Sequence, residues 1–439
     1  MKLWFFLKQI PSDAIKVATS KEGICGIWNL PLYRNSIYLM TNTAILSLTG
    51  FFFWAIAARI YPVEGVGLAS AAISSMTLLA LLSTIGLDYG LVRFLPNSGR
   101  RATSIINSCS TVGGLISIAL SLIFLAGLNI WSPALLLLRE HPVFLAAFVV
   151  FTAAVALRTF FSQAFVAKRR AGLTLAEGLI FSLIRFIPLI LLASSYRTFG
   201  IFASWGIALG IGVAISIILF LPRIQAGYRP LPIIDRQVIN DLMHFSFANY
   251  AASLFGAVPG FVFPLMVVNF LGAESNAYFY VAWVIGGILF MIPRAASLSL
   301  FAEGSHDEQR LGQATRRSLK LILVVLIPAI VIIAFLGSRI LLLFGVTYSE
   351  NATKLLWILA SCALPASISY VYFSVKRVQR KMKAPVALSA LTMASSLPLS
   401  YFLLSRLGII GVGIAWLISQ MVVALLISFE FWKILKHSK

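Results

Sequence analysis

The stretch SAAISSMTLLALLSTIGLDYGLVRFLPNSGRR, residues 70–101, changes character abruptly, and this change decides the fold class. Residues 70–85 carry no charge, and they complete an apolar run of about 20 residues, which is enough to cross a bilayer of roughly 30 Å. Tyr89 and Arg93 then suit a membrane–water interface, and Pro96 ends a helix. The pattern predicts a membrane-spanning helix that leaves the lipid near Asp88, which we expect to cap the helix or pair with Arg93.

The composition of the whole chain supports the same class. Of its 439 residues, 60% are hydrophobic and only 11% are charged. A soluble chain of this size needs far more polar residues to cover its surface. Because backbone amides in lipid must bond within their own segment, the recurring apolar runs are predicted to be helices. Twelve spans are expected, near 36–57, 66–87, 105–128, 143–167, 173–193, 199–221, 245–270, 275–298, 317–337, 353–374, 384–404 and 408–432.

The loops between these spans alternate in basic content, and this alternation predicts the topology. One set of loops and both termini together hold 27 Lys and Arg residues, whereas the opposite set holds 5. Basic loops stay on the cytoplasmic side, so a multi-pass protein of the cell (cytoplasmic) membrane with both termini in the cytoplasm is expected. The net charge of +21 is then a topology signal rather than a nucleic-acid-binding surface.

The chain repeats itself at a spacing near 210 residues. FVAKRRAG (165–172) is echoed by SVKRVQRKMKAP (374–385), and FGIFASWGIALG (199–210) by LGIIGVGIAWLI (407–418). Each half holds six spans, so we expect an all-α polytopic protein whose two six-helix lobes are related by a pseudo-two-fold axis along the membrane normal, with a cavity between them. The predicted divisions are an interfacial N-terminal segment (1–33), the first lobe (34–221), a cytoplasmic linker (222–244), the second lobe (245–432) and a cytoplasmic tail (433–439).

Charges inside the spans are the candidate functional residues. Arg185 falls near the middle of the fifth span, where an arginine costs about 2.5–3.5 kcal/mol on insertion scales. Ser182 and Arg185 share one face of that helix, with Glu177 nearby, and Arg158 lies in the fourth span. One interpretation is a cationic wall that binds an anionic substrate. The alternative is an Arg–Glu pair that locks the fourth and fifth helices together, or an Arg158 that reaches the cytoplasmic face.

Two uncharged residues complete the candidate binding set. Asn42 in the first span and Asn249 in the seventh are candidates to line the cavity, although each could instead bond a neighbouring helix. Ser395 falls where the second lobe would place the counterpart of Arg185, so the cavity is expected to be positive on the first-lobe side. The chain has no phosphate-cradling glycine loop and no clustered metal ligands, so neither a cofactor nor a metal nor a catalytic residue is expected.

Residues 33–96 resemble the opening of polysaccharide biosynthesis (export) proteins. The resemblance lies in YRNS at 33–36, AARIYPVEGVG at 57–67 and GLDYGLVRFLP at 86–96. These proteins belong with the lipid-linked oligosaccharide flippases of the multidrug/oligosaccharidyl-lipid/polysaccharide (MOP) exporter superfamily. The resemblance implies a MATE-like fold and a transporter rather than an enzyme.

The resemblance also implies a substrate class. The expected activity is the flipping of a polyprenyl-(di)phosphate-linked oligosaccharide or polysaccharide precursor from the cytoplasmic to the outer leaflet, by alternating access. Arginines of the cavity hold the diphosphate in such proteins, and Arg185 and Arg158 fit that role by position. The expected partners are the lipid-linked glycan and membrane lipids, with functional coupling to glycosyltransferases, and the protein is expected to act as a monomer.

Three other functions remain open at this point. A multidrug or cation antiporter of the same superfamily usually carries a functional acid in the first helix, and 36–57 has none. A membrane-embedded glycan polymerase or transferase would need clustered acids or histidines and a long loop. A non-transporting scaffold is the third. The sequence does not name the sugar, the lipid carrier or the energy source.

Overall fold

The computed structural model describes residues 31–194, 199–306 and 311–436, and these ranges form helices joined by short turns and loops, without strands. Residues 1–30 of the predicted N-terminal segment, and 437–439 of the predicted tail, lie outside this part of the chain. The long helices are α1 Pro31–Ile60, α2 Val63–Ser83, α3 Ala102–Ala126, α4 Pro142–Ala167, α5 Ala171–Leu191, α6 Gly200–Ile224, α7 236–271, α8 273–306, α9 Leu311–Leu342, α10 Val346–Val378, α11 Lys383–Leu407 and α12 Ile409–Lys436.

Helices α7 and α8 follow one another with a single break. Gly272 has a φ of 87° and a ψ of 173°, and it interrupts an otherwise helical segment, Arg236–His306, of 71 residues. The apolar part of that segment, Ser246–Phe301, has 56 residues, more than twice the length that one span needs. Together with the ten other apolar helices of the described ranges, this gives twelve spans, so the predicted all-α membrane architecture is confirmed.

The stretch that follows α2 differs in detail from the prediction. The predicted span runs to residue 87, but α2 ends at Ser83, and a separate helix begins at Leu87 and ends at Phe94. The break lies at Ile85 and Gly86, which have φ values of 42° and 85°. Asp88 in the first turn of the short helix is only 6% exposed. Burial raises the pKa of its carboxyl to about 6, although hydrogen bonds from Thr84 and backbone N–H groups lower it in part.

The helices pack as two bundles of six. In the first bundle α1 packs against α5, α3 against α4, and α6 against both α4 and α5. In the second, α9 and α12 pack against α10, α11 packs against α12, and the α7–α8 segment packs against α10 and α11. The non-helical connection between the bundles is 225–235, because α6 continues to Ile224 and α7 already begins at Arg236, inside the predicted linker.

Helix α2 forms the main junction between the bundles. It packs closely on α8, since a Cβ atom on Gly67 would lie only 1.7 Å from the carbonyl oxygen of Ala273. Asn276 Nδ2 donates to the Gly67 carbonyl at 2.7 Å in the same contact. At the end of α1, Arg59 Nε donates to the carbonyl oxygen of Leu343, which follows the last turn of α9, at 2.9 Å. These contacts hold the two bundles together at the end of the molecule where α1 and α9 end, and contacts of Leu82 and Tyr89 with α7 join them at the opposite end of α2.

The internal repeat is visible in the backbone. Arg169 after α4 and Arg380 after α10 are 211 residues apart, and both adopt the left-handed conformation, with φ values of 55° and 57°. In both turns the next residue donates its N–H to the carbonyl five residues earlier, at 2.8 Å and 2.9 Å. This is the Schellman way of ending a helix, usually made by glycine. The shared geometry supports the two-fold repeat that the sequence predicts.

Candidate functional site

Arg185 lies inside the first bundle, at the point where α5 passes from Ala171–Ile184 into Phe186–Leu191. Its side chain is only 1% exposed, so in this conformation it faces neither lipid nor an open cavity. Its Nη2 donates to Thr49 Oγ1 on α1 at 2.9 Å. Its guanidinium carbon lies 4.9 to 5.0 Å from the ring centroids of Phe53, Phe181 and Trp205. Cation–π attraction and one hydrogen bond therefore offset the cost of burying this charge.

Thr49 links the arginine to a second predicted residue. Thr49 Oγ1 lies 3.1 Å from Ser182 Oγ, and Ser182 is fully buried one turn before Arg185. Thr49 is not among the residues predicted from the sequence. Its spacing contains a signal, because Thr49 lies seven residues after Asn42 and so shares its face of α1.

Arg158 and Glu177 form the ion pair that the sequence left as one alternative. Arg158 Nε donates to Glu177 Oε1 at 2.8 Å, with side-chain exposures of 23% and 5%. The pair joins α4 to α5, and α6 closes over it, since a Cβ atom on Gly212 would lie 2.8 Å from Glu177 Oε1. Arg158 is therefore engaged inside the bundle rather than extended to the membrane surface.

The two arginines share one aromatic ring. Phe181 has the Arg158 guanidinium carbon 4.5 Å from its centroid and that of Arg185 at 5.0 Å. With Glu177, the three charged groups carry a net charge of +1. Arg185 Nε is buried and has no hydrogen-bond partner among the described residues. The centre of the first bundle is thus positive, of low dielectric, and retains at least one unused donor.

The two predicted asparagines lie in different bundles. Asn42 contacts α5 closely, because a Cβ atom on Gly178 would lie 2.0 Å from its Oδ1, and this Oδ1 has no partner among the described residues. Asn249 lies on α7, beside Tyr250, whose hydroxyl donates to the Leu82 carbonyl at 3.2 Å across the junction. Five of the six candidate residues thus gather in the first bundle, and Asn249 belongs to the second.

The position of the second bundle that corresponds to Arg185 in the repeat is Ser395. Ser395 Oγ donates to the carbonyl of Thr392 on its own helix, at 3.2 Å. The second bundle contains a cavity of about 280 Å³ lined by glycines and aromatic rings, including Gly256, Trp283 and Trp416. This cavity is not predictable from the sequence, because its walls come from α7, α8, α10 and α12 and no local pattern shows which faces of four helices meet.

Comparison with known proteins settles the family. The polysaccharide biosynthesis protein family matches residues 32–301, which is more than half of the chain. The chain belongs to this family. A second family, MatE, matches residues 251–402, within the second half of the chain. The resemblance noted in the opening residues of the sequence is therefore confirmed.

Individual relatives agree with this assignment. A putative O-antigen transporter of Shigella flexneri is 24% identical over 169 residues, a match that covers 38% of this chain and 40% of the relative. The lipid II flippase MurJ in an inward closed conformation superposes with a TM-score of 0.73 at 16% identity, covering 91% of this chain and 90% of that one. An inward-facing MATE family transporter of the MOP superfamily gives 0.66 at 14% identity, covering 89% and 96%. The fold is that of the MOP superfamily of membrane transporters.

Proposed function

We propose that this membrane transporter is a flippase that moves a polyprenyl-(di)phosphate-linked oligosaccharide or polysaccharide precursor from the cytoplasmic to the outer leaflet by alternating access. One observation carries the proposal: two arginines and one carboxylate share the centre of the first bundle and leave it positive. Membership of the polysaccharide biosynthesis family, and the likeness to a putative O-antigen transporter, support the substrate class.

Arg158 is the residue best placed to meet the anionic group first. Its side chain is 23% exposed, and among the described residues it donates a hydrogen bond only from Nε, to Glu177. The two Nη groups then bind a phosphate as a planar fork, and the low dielectric of the bundle strengthens that contact. Arg185 adds its charge from behind Phe181, and its Nε has no hydrogen-bond partner among the described residues.

The direction of transport follows from the proposed topology. With both termini in the cytoplasm, the basic loops face the leaflet in which glycosyltransferases build the lipid-linked glycan. The precursor enters from that side as a charged head group, while its lipid tail remains in the bilayer. A single chain of two bundles provides the two rocking halves, so a monomer is sufficient.

A cation antiporter is the second candidate, and the MatE match over 251–402 favours it. The charges of the first bundle weigh against it, because a cationic drug would meet Arg158 and Arg185. Helix α1, Pro31–Ile60, contains no Asp or Glu. The net positive charge therefore favours an anionic substrate over a cationic one.

A complemented deletion strain tests the proposal. Deletion is expected to abolish the surface polysaccharide and to accumulate the lipid-linked precursor in the cytoplasmic leaflet, and the wild-type gene is expected to restore both. Ethidium efflux in the same strains separates the two candidates, since a flippase leaves it unchanged. Normal surface polysaccharide in the deletion strain, together with impaired efflux, would replace the flippase by the antiporter.

A further inference from the structure

The two bundles share an aromatic pair at their centres. In the first, Phe53 of α1 meets Trp205 of α6 edge-to-face, with centroids 5.4 Å apart and planes at 74°. In the second, Phe263 of α7 meets Trp416 of α12 at 5.8 Å and 80°. The phenylalanines are 210 residues apart and the tryptophans 211, so these pairs are counterparts in the internal repeat.

What lies over the pair differs between the bundles. In the first, the guanidinium of Arg185 lies 4.9 Å from Phe53 and 5.0 Å from Trp205. A repeat of 210 residues places Ser395 at the position of Arg185, and one of 211 places Ser396 there. Either serine is far smaller than an arginine. The second bundle therefore keeps the aromatic pair without the arginine, and Trp283 of α8 packs on both rings, with centroids 5.5 Å from Phe263 and 5.8 Å from Trp416.

An open space lies beside the second pair. The cavity of about 280 Å³ is nearly twice the size of one that holds a benzene ring, roughly 150 Å³. Two of its glycines, Gly256 and Gly287, would have nothing within 4 Å of an added Cβ atom. Trp416 is only 9% exposed, and its Nε1 has no hydrogen-bond partner among the described residues. A buried N–H without an acceptor costs about 1–3 kcal/mol, so a ligand that accepts a hydrogen bond from this group would be favoured.

The glycine walls of the cavity lie on the helix faces that meet the first bundle. Ser253 of α7 bonds Tyr89 across the junction, at 2.5 Å, and Gly256 and Gly260 follow it by three and seven residues. Tyr280 of α8 packs on Trp54 of α1 with centroids 4.8 Å apart, and Gly287 follows by seven. Residues at these spacings share a helix face, so the cavity opens toward the space between the bundles.

We propose that this cavity binds a sugar ring of the lipid-linked glycan; the proposal rests on the proposed flippase function and assigns the saccharide part of its substrate. The partly negative faces of Trp283 and Trp416 attract the C–H groups of a pyranose ring. The Trp416 N–H donates to a hydroxyl or ring oxygen. A prenyl tail fits less well, because it has no acceptor for that N–H and is too long for the cavity.

The proposal divides the substrate between the bundles. The positive charge of the first bundle binds the diphosphate. The second bundle binds the uncharged sugar ring next to it through aromatic faces, one N–H donor and the space left by the glycines. One head group therefore has to span the junction between the bundles to reach both sites.

Binding to the purified full-length protein in lipid nanodiscs tests this assignment. The probes are methyl hexopyranosides, methyl N-acetylhexosaminides, farnesyl diphosphate and farnesol, followed by saturation-transfer NMR and calorimetry. Gly287→Leu fills the cavity and is expected to weaken saccharide binding by at least about 10-fold while leaving farnesyl diphosphate binding unchanged. Trp416→Phe removes one hydrogen bond and is expected to weaken saccharide binding by about 5- to 10-fold. The matched controls are Gly210→Leu and Trp357→Phe, since both wild-type residues are exposed.

The outcomes separate this inference from the flippase proposal. Failure of every saccharide to bind the wild-type protein would overturn the sugar site, and so would loss of farnesol rather than saccharide binding in Gly287→Leu. Saccharide binding that responds to Gly287→Leu and Trp416→Phe, without any farnesyl diphosphate binding, would keep the sugar site and overturn the diphosphate role of the first bundle. Thermal unfolding of each variant identifies misfolding, and Trp416→Phe keeps the test decisive if Gly287→Leu does not fold.

Discussion

The two bundles share the same helix arrangement but differ in the side chains at their centres. Both turn after their fourth helix through a left-handed arginine, and both place a phenylalanine edge-on to a tryptophan. The first bundle places Arg185 against that pair, whereas in the second Trp283 packs on it and a cavity lies beside Trp416. A duplicated fold can therefore keep its packing while its halves take up different chemistry, one half electrostatic and the other aromatic.

Removal of the arginine should have the largest effect. Arg185→Ala is expected to lower surface-glycan export about 10- to 100-fold, because hydrogen bonds to charged groups contribute about 1.5–3 kcal/mol. Arg185→Lys keeps the charge without the planar fork and should retain part of the activity. Export is measured by surface-polysaccharide staining, normalised to the amount of protein in the membrane. Leu183→Ala is a matched control, since Leu183 is 64% exposed on the same helix; normal export by the alanine variant would remove Arg185 from the site.

The junction between the bundles can be broken at Gly67. Gly67→Ala places a Cβ atom against the Ala273 carbonyl, and overpacking of this kind costs about 1–3 kcal/mol. The expected result is a thermal midpoint several degrees lower, measured by unfolding in nanodiscs. Gly256→Ala, where an added Cβ meets nothing within 4 Å, should not change it. Equal midpoints for the two variants would contradict the close contact of α2 with α8.

Substitutions in the Arg158–Glu177 pair test whether the pair contributes charge for anion binding or only stabilises the packing of α4 on α5. Glu177→Gln frees Arg158 and raises the local net charge by one, so it should bind inorganic diphosphate a few-fold more tightly, most clearly at low salt. Arg158→Gln should bind it more weakly, although both substitutions break the same pair and lower stability. Calorimetry at two ionic strengths measures the affinities. If both variants weaken binding equally, the pair acts only as a structural lock.

The smallest effect concerns Asp88, beside the junction. Its folded-state pKa of about 6 lies above the unfolded value of about 3.9. The Asp88 carboxyl therefore loses its proton at a lower pH in the unfolded chain than in the folded protein. Its contribution to the stability of the folded state falls as pH rises from about 4 to 6, and it is smallest at high pH. Asp88→Asn should match the wild type near pH 4 and exceed its thermal midpoint modestly at pH 7.5. A constant difference across this range would show that Asp88 does not titrate as the burial implies.

Individual helices show how far the sequence alone could go. The number of spans was predictable because each needs about 20 apolar residues, whatever it packs against. The sequence predicts that the second span ends at 87, whereas α2 ends at Ser83. The left-handed turn at Ile85 and Gly86 fits against Tyr250 of the other bundle, and no local signal shows that fit. For Arg158 and Glu177 the sequence is compatible both with a substrate-binding wall and with an ion pair between helices, and the structure shows the ion pair.

The sequence by itself determined that the protein crosses the membrane twelve times, repeats its plan, and buries an arginine in its fifth span. These features follow from the free-energy cost of placing polar groups in lipid. That cost depends on the residue itself and not on its tertiary contacts. Only the tertiary structure decided that Arg185 rests among Phe53, Phe181 and Trp205, and that Trp416 faces empty space. These features depend on which faces of separate helices meet, and that depends on the packing of the whole molecule.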